Sequence, residues 1–205
     1  CGAPLPEDAV RAAILLRANA LAKGFSGVRL TIIEKLLELL NRRITPVVPR
    51  YGSVGASGDL IPAAYIGRTL LGQGEVMFQN ERRSAAQTLA ECRIEPLRLQ
   101  AKEALALVNG TTVMTGIGAL VIHDGAELAK TTLACASLAL EALRGSDDPF
   151  KEAIQRVKNH PGQIAAAAFD NAPGRRVTVG RETLIAAYCY LVGGDHVHTD
   201  PSLPI

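Results

Sequence analysis

The chain has 205 residues, 48% of them hydrophobic and 20% charged, with a formal net charge of +2. That balance excludes a disordered tail and leaves room for a sizeable core. No stretch of ~18 uncharged apolar residues appears, so nothing in the sequence reads as a membrane span. Aromatics at 4%, with basic residues scattered among acids, argue against a nucleic-acid surface, so neither membrane nor nucleic acid is an expected partner.

Leu5-Pro6-Glu7-Asp8 opens a helix with proline and acids in its first turn, and Gly24 ends it. Val10, Ile14, Leu15 and Leu21 mark its apolar positions. A second helix, from about Thr31 to Asn41, carries Ile32, Ile33, Leu36, Leu37, Leu39 and Leu40, broad enough for burial on most sides. Pro46 and Pro49 then force an extended connector into the glycine-rich run 52–60.

A short helix is expected over Leu60–Leu71, and 72–100 is the least regular stretch, with Val76-Met77-Phe78 a short strand. Lys102 and Glu103 read as surface charges at a helix start. From Thr111 or Thr112 to about Leu143 the chain is free of proline and rich in Ala, Leu, Val and Ile. Roughly thirty helical residues give a rod of about 45 Å, suited to a bundle of long helices. Shorter helices follow near Phe150–Val157 and from His160-Pro161, and a last one over Gly180–Leu191.

Cys1, Cys92, Cys135 and Cys189 share no Cys-x-x-Cys spacing and read as reduced thiols, two or three of them buried in helices, in a cytoplasmic protein. No signal-peptide pattern is read in the sequence, and its opening at Cys1 reads as a cut from something longer. Asp195-His196-Val197-His198-Thr199-Asp200 has the residue types of a metal site, but a loop gives no preset geometry and a solvated tail is the better reading. No metal is expected.

The most informative segment is Gly52-Ser53-Val54-Gly55-Ala56-Ser57-Gly58-Asp59-Leu60. A nucleophile elbow needs Gly where Asp59 stands. A phosphate loop needs a Gly-Lys pair, and glycines spaced by three do not fit the dinucleotide fingerprint. Glycine at 58 allows backbone angles that other residues reach only at a cost. Asp59 either assists proton transfers or caps the helix that follows. Two further segments stand out: Leu105-Ala106-Leu107-Val108-Asn109-Gly110-Thr111-Thr112 and Asn159-His160-Pro161-Gly162-Gln163.

In that order and spacing the three segments resemble the family of histidine and aromatic amino-acid ammonia-lyases and aminomutases, and the resemblance extends over essentially the whole chain. It implies an all-α long-helix bundle of the ammonia-lyase (fumarase/aspartase-like) type, of which residues 1–205 form one central helical segment. It also implies that Ala56-Ser57-Gly58 cyclises with loss of two waters to 4-methylidene-imidazol-5-one (MIO), the only cofactor expected. Ala56, Ser57, Gly58 and Asn109 are then catalytic, with Asn109 also hydrogen-bonded to the MIO ring. Leu60, Leu105 and Val108 line the substrate side chain, and plain core packing is their alternative. His160 is read as structural, and His123 as a core or interface histidine.

Asp59-Leu60-Ile61-Pro62-Ala63-Ala64-Tyr65 and Asn109 to Gly116 look more like the aromatic enzymes than like histidine ammonia-lyases, which typically carry Pro-Leu-Ala-His where this chain has Pro62-Ala63-Ala64-Tyr65. The implied activity is elimination of ammonia from phenylalanine or tyrosine. An aromatic 2,3-aminomutase, a histidine ammonia-lyase and a non-catalytic helical module are the alternatives. The resemblance further implies a homotetramer acting on a small amino acid, with the catalytic base and a carboxylate-binding arginine outside residues 1–205.

Overall fold

The computed structural model describes residues 2–146, 148, 151–158 and 160–168. Helix α1 (Glu7–Ala22) starts at Pro6, with Glu7 and Asp8 complementing the positive end of its first turn. Its buried stripe is Val10, Ala13, Ile14, Arg17, Ala18 and Leu21, the three-and-four spacing of one helix face. Leu15 lies off that stripe and is 54% exposed, against expectation. Arg17, three residues after Ile14, is carried into the interior instead.

Helix α2 (Leu30–Asn41) buries Ile32, Leu36 and Leu39, leaves Ile33 and Leu40 half-buried, and exposes Leu30 and Leu37. Its burial is therefore one-sided, not general. The chain then enters a three-stranded antiparallel sheet, β1 (Thr45–Pro46), β2 (Glu75–Phe78) and β3 (Glu81–Ser84), in the order β1-β2-β3. The register sets Thr45 opposite Met77 and Val76 opposite Arg83. Pro46 sits on an edge strand, where its missing N–H breaks no ladder. Gln79 and Asn80 both take positive φ, 54° and 63°, which makes the tight two-residue hairpin that matches strand twist.

Helix α3 (Leu60–Leu70) follows the glycine-rich run directly. Helix α4 (Ala85–Glu91) lies in the stretch expected to be irregular, and Ala85, Thr88 and Leu89 anchor it in the core. Helix α5 (Glu103–Val108) is short, and helix α6 (Thr112–Ala142) runs 31 residues, about 46 Å at ~1.5 Å per residue. Helices α7 (Glu152–Lys158) and α8 (Pro161–Ala168) complete the described elements. The class is all-α with one small sheet.

Two units divide the chain at Val121 and Ile122. In the first, one core joins α1, α2, α3, α4, α5 and the sheet through Ile14, Leu36, Ile66, Leu89, Leu107 and Val76. In the second, α7 and α8 meet through the buried Gln155, whose carbonyl accepts from the Gln163 amide. The His160 backbone carbonyl there accepts from the N–H groups of Gln163 and Ile164, starting α8. His123 is exposed rather than a core histidine. Cys92 is half-buried and Cys135 exposed, so neither is among the two or three thiols expected to be fully buried. Cys1, Cys189, the 180–191 helix and the 195–200 cluster lie outside the described residues. Among the described residues no helix is long and apolar enough to cross a membrane, and no group of side chains could hold a metal ion.

Candidate active site

The run 52–60 forms a loop at the start of α3. Ser57 and Gly58 both take left-handed backbone angles, φ 57° and 86°. For glycine this conformation is free, whereas Ser57 holds it at a cost of order 1 kcal/mol. An added Cβ on Gly58 would fall 2.1 Å from the Gly110 carbonyl oxygen, so only glycine fits there. Ala56 and Ser57 are exposed, and Gly58 is half-buried against the second segment.

That second segment is the turn Asn109-Gly110 between α5 and α6. Gly58 and Gly110 are joined by a parallel bridge, and the Asp59 N–H donates to the Gly110 carbonyl at 2.7 Å. The structure thus brings together Gly58 and Asn109-Gly110, which lie half a hundred residues apart in sequence. The Asn109 amide donates to the Leu105 carbonyl at 3.2 Å, turned back on its own helix. Leu60 is half-buried at the head of α3, Leu105 is 59% exposed, and Val108 packs against the core.

Asp59 stands at the N-cap position of α3 but makes no side-chain bond to that helix. Its Oδ2 instead accepts from the Met114 N–H at 2.8 Å, in the first turn of α6. Its Oδ1 accepts from the Ser53 hydroxyl at 3.3 Å. The aspartate therefore caps a helix more than fifty positions away rather than its own. Two helix N-termini, those of α3 and α6, meet at this loop, and both bring partial positive charge.

Two charged residues that the sequence reading missed support this turn. Arg17 is 6% exposed, and its Nη1 donates to the Asn109 carbonyl at 2.5 Å and to the Ala106 carbonyl at 3.4 Å. Burial lowers its pKa from the ordinary guanidinium value, and the charge of Asp59 opposes that shift. Glu103, expected on the surface, is 2% exposed. It accepts from Arg29 Nε and Nη2, both at 2.8 Å, and from the Gln100 N–H at 2.7 Å. The Arg29 hydrogen bonds, opposed by burial and aided by backbone donors, hold its carboxyl down at about 2. The visible signal for Arg17 was a charge on the Ile14–Leu21 stripe; for Glu103 it was an acid at the first position of a helix.

The architecture is a helical protein in which a loop left-handed at Ser57 and Gly58 is pressed onto an Asn-Gly turn. The chain belongs to the aromatic amino acid lyase family, whose model matches residues 1–171. Histidine ammonia-lyase of Caldanaerobacter subterraneus subsp. tengcongensis is 48% identical over 166 residues, 81% of this chain and 33% of that protein. The chain thus spans about a third of the length of the curated relatives it matches. Among solved structures, tyrosine aminomutase from Streptomyces globisporus aligns with a TM-score of 0.78 at 39% identity, covering 98% of this chain and 38% of that one. Phenylalanine ammonia-lyase from Rhodosporidium toruloides aligns at 0.74 and 34% identity, covering 80% and 26%.

Proposed function

We propose that residues 52–60 and 105–114 carry the electrophile-forming centre of an ammonia-lyase acting on an L-amino acid with a planar ring on its β-carbon. The supporting observation is the Ser57-Gly58 loop, left-handed at both residues and pressed onto Gly110 where no Cβ fits. Such a backbone suits cyclisation of Ala56-Ser57-Gly58, in which the Gly58 nitrogen attacks the Ala56 carbonyl and two waters leave. Once formed, MIO would supply an electrophilic methylene for the substrate amine.

The residues of the chain prepare that chemistry. The N-termini of α3 and α6 place fixed partial positive charge beside the loop, which favours electron density arriving there. Asn109, on the turn that Gly58 touches, is the polar group assigned to the ring and the substrate. Leu60, Leu105 and Val108 are assigned to the apolar side of the substrate and to excluding water.

The high identity to histidine ammonia-lyases favours histidine as the ring-bearing substrate, with an imidazolyl-acrylate product. Phenylalanine or tyrosine is the second reading, favoured by Pro62-Ala63-Ala64-Tyr65 and by the near-complete alignment with a tyrosine aminomutase. An aminomutase outcome would return ammonia to the β-carbon. The long helix α6 exposes Val121, Ile122, Leu128 and Leu138, apolar surface that supports helix packing in a homotetramer.

Intact-mass measurement of the full-length protein is the first test: a deficit of two waters, abolished by Ser57→Ala, is expected. Full mass in a correctly assembled protein rejects the proposal and leaves a non-catalytic helical module. Incubation with histidine, phenylalanine and tyrosine then sorts acrylate release from β-amino-acid formation.

A further inference from the structure

The Arg17 guanidinium is a buried cation whose bonds lead to the end of α5 and the turn beside the loop. Its Nη1 donates to the Asn109 and Ala106 carbonyls. A Cβ on Gly110 would fall 2.7 Å from Nη2 and 2.9 Å from Nη1, so the turn rests directly on the guanidinium plane. Nε and Nη2 are buried with no hydrogen-bond partner among the described residues. A buried donor left unpaired costs stability, so this arginine is a poor choice for stability alone. Methionine or leucine would complete the α1 stripe without that penalty.

The other side of the turn faces the loop. Gly110 offers its carbonyl to the Asp59 N–H and pairs with Gly58. The order of contact is therefore the Arg17 side chain, then the Asn109-Gly110 backbone, then the Gly58-Asp59 backbone. Rotating the Asn109 or Ala106 carbonyl away would break its bond to a guanidinium anchored in α1.

We propose that Arg17 is a positioning residue: it holds the Asn109-Gly110 turn so that the Asn109 side chain and the Gly58 backbone keep the geometry needed for ring formation and turnover. This rests on the ammonia-lyase reading above. Arg17 touches neither substrate nor reacting atoms; it acts through the turn.

The test uses the full-length protein with Arg17→Gln, which removes the charge and the fork, and Arg17→Lys, which keeps the charge with a single ammonium. Three readouts are taken on folded, correctly assembled protein: the fraction of chains lighter by two waters, kcat and KM, and amide exchange across 56–60 and 106–111. Misplacing the turn by about 1 Å predicts a kcat lower by roughly 10- to 100-fold in Arg17→Gln, with KM changed less than about threefold. A lower cyclised fraction and faster exchange at Asp59 accompany it, and Arg17→Lys falls in between. A purely structural arginine would lower yield while leaving kcat per cyclised chain and the exchange pattern untouched. Wild-type kcat, mass deficit and exchange in Arg17→Gln overturn the proposal. If Arg17→Gln does not fold, Arg17→Lys decides: a reduced kcat with faster Asp59 exchange supports it, and wild-type values overturn it. A wild-type protein of full mass overturns the ammonia-lyase reading and this proposal together, whereas a wild-type deficit matched by the variants overturns only the role of Arg17.

Discussion

Replacing Gly58 by alanine tests the closeness of the loop and the turn. Gly58 sits at φ 86°, and the new Cβ would lie 2.1 Å from the Gly110 oxygen and 2.5 Å from its carbonyl carbon. Both obstacles are backbone, so no side-chain rotation relieves them. Left-handed angles cost an L-residue ~1–2 kcal/mol. Moving Gly110 far enough to clear the methyl breaks the 2.7 Å bond from the Asp59 N–H. That loss adds ~0.5–1.5 kcal/mol. The sum is about 1.5–3.5 kcal/mol, or with a urea dependence near 2 kcal/mol/M a midpoint lowered by about 0.75–1.75 M. Urea unfolding followed by far-ultraviolet dichroism measures it, with Gly118→Ala as control. Gly118 is inside α6 with nothing within 4 Å of an added Cβ, so its replacement gains helix propensity and should be neutral or stabilising. A Gly58→Ala midpoint equal to wild type would refute the loop–turn geometry.

Three further substitutions probe other links. Glu103 has its carboxyl held down from 4.5 to about 2, so the stability it contributes is present above pH 4.5 and drains away as pH falls toward 2. Glu103→Gln cannot titrate, and its Tm should fall less steeply than wild type across that window; parallel Tm curves count against the buried pair. Asp59→Ala removes the acceptor of the Met114 N–H and should cost about 0.5–2 kcal/mol, with faster amide exchange at Met114. Unchanged protection there rejects α6 as the capped helix. Leu36→Ala, at a site 0% exposed, should cost about 2–5 kcal/mol in chemical denaturation. Leu37→Ala, at 39% exposure, should cost much less, and equal losses would deny the one-sided burial of α2.

Helix positions were legible because their signals are local. Periodicity and proline placement gave α1, α2, α3 and α6 to within a residue or two. Helix α4 was hidden because Gly72, Gly74 and Pro96 mark turns on either side and its seven residues carry little periodicity. The site segments were legible from their residue order, but their juxtaposition was not, since nothing local ties Gly58 to Gly110. The partner of Asp59 was misjudged for the same reason: an N-cap rule looks to the adjacent helix, while the carboxylate found a nearer donor on α6. Charge type misled at Arg17 and Glu103, because long charged side chains are read as surface unless their partners are known.

Those two buried charges share one physical task. Helix α5 has six residues, well below the ~12–15 that an isolated helix needs to persist in water. Its N-terminus carries Glu103, fixed by Arg29 and the Gln100 N–H, and its last carbonyls, from Ala106 and Asn109, accept from Arg17. An anion at the positive end and a cation at the negative end both match the helix dipole. Each charge is anchored from another part of the fold, Arg29 just before α2 and Arg17 within α1. A helix too short to hold itself is thus clamped at both ends, and the segment it clamps is the one that presents Asn109 and Gly110 to the loop. The contacts that hold the Asn109-Gly110 turn thus run back to α1 and to the 29–103 ion pair, far from Ser57 in sequence.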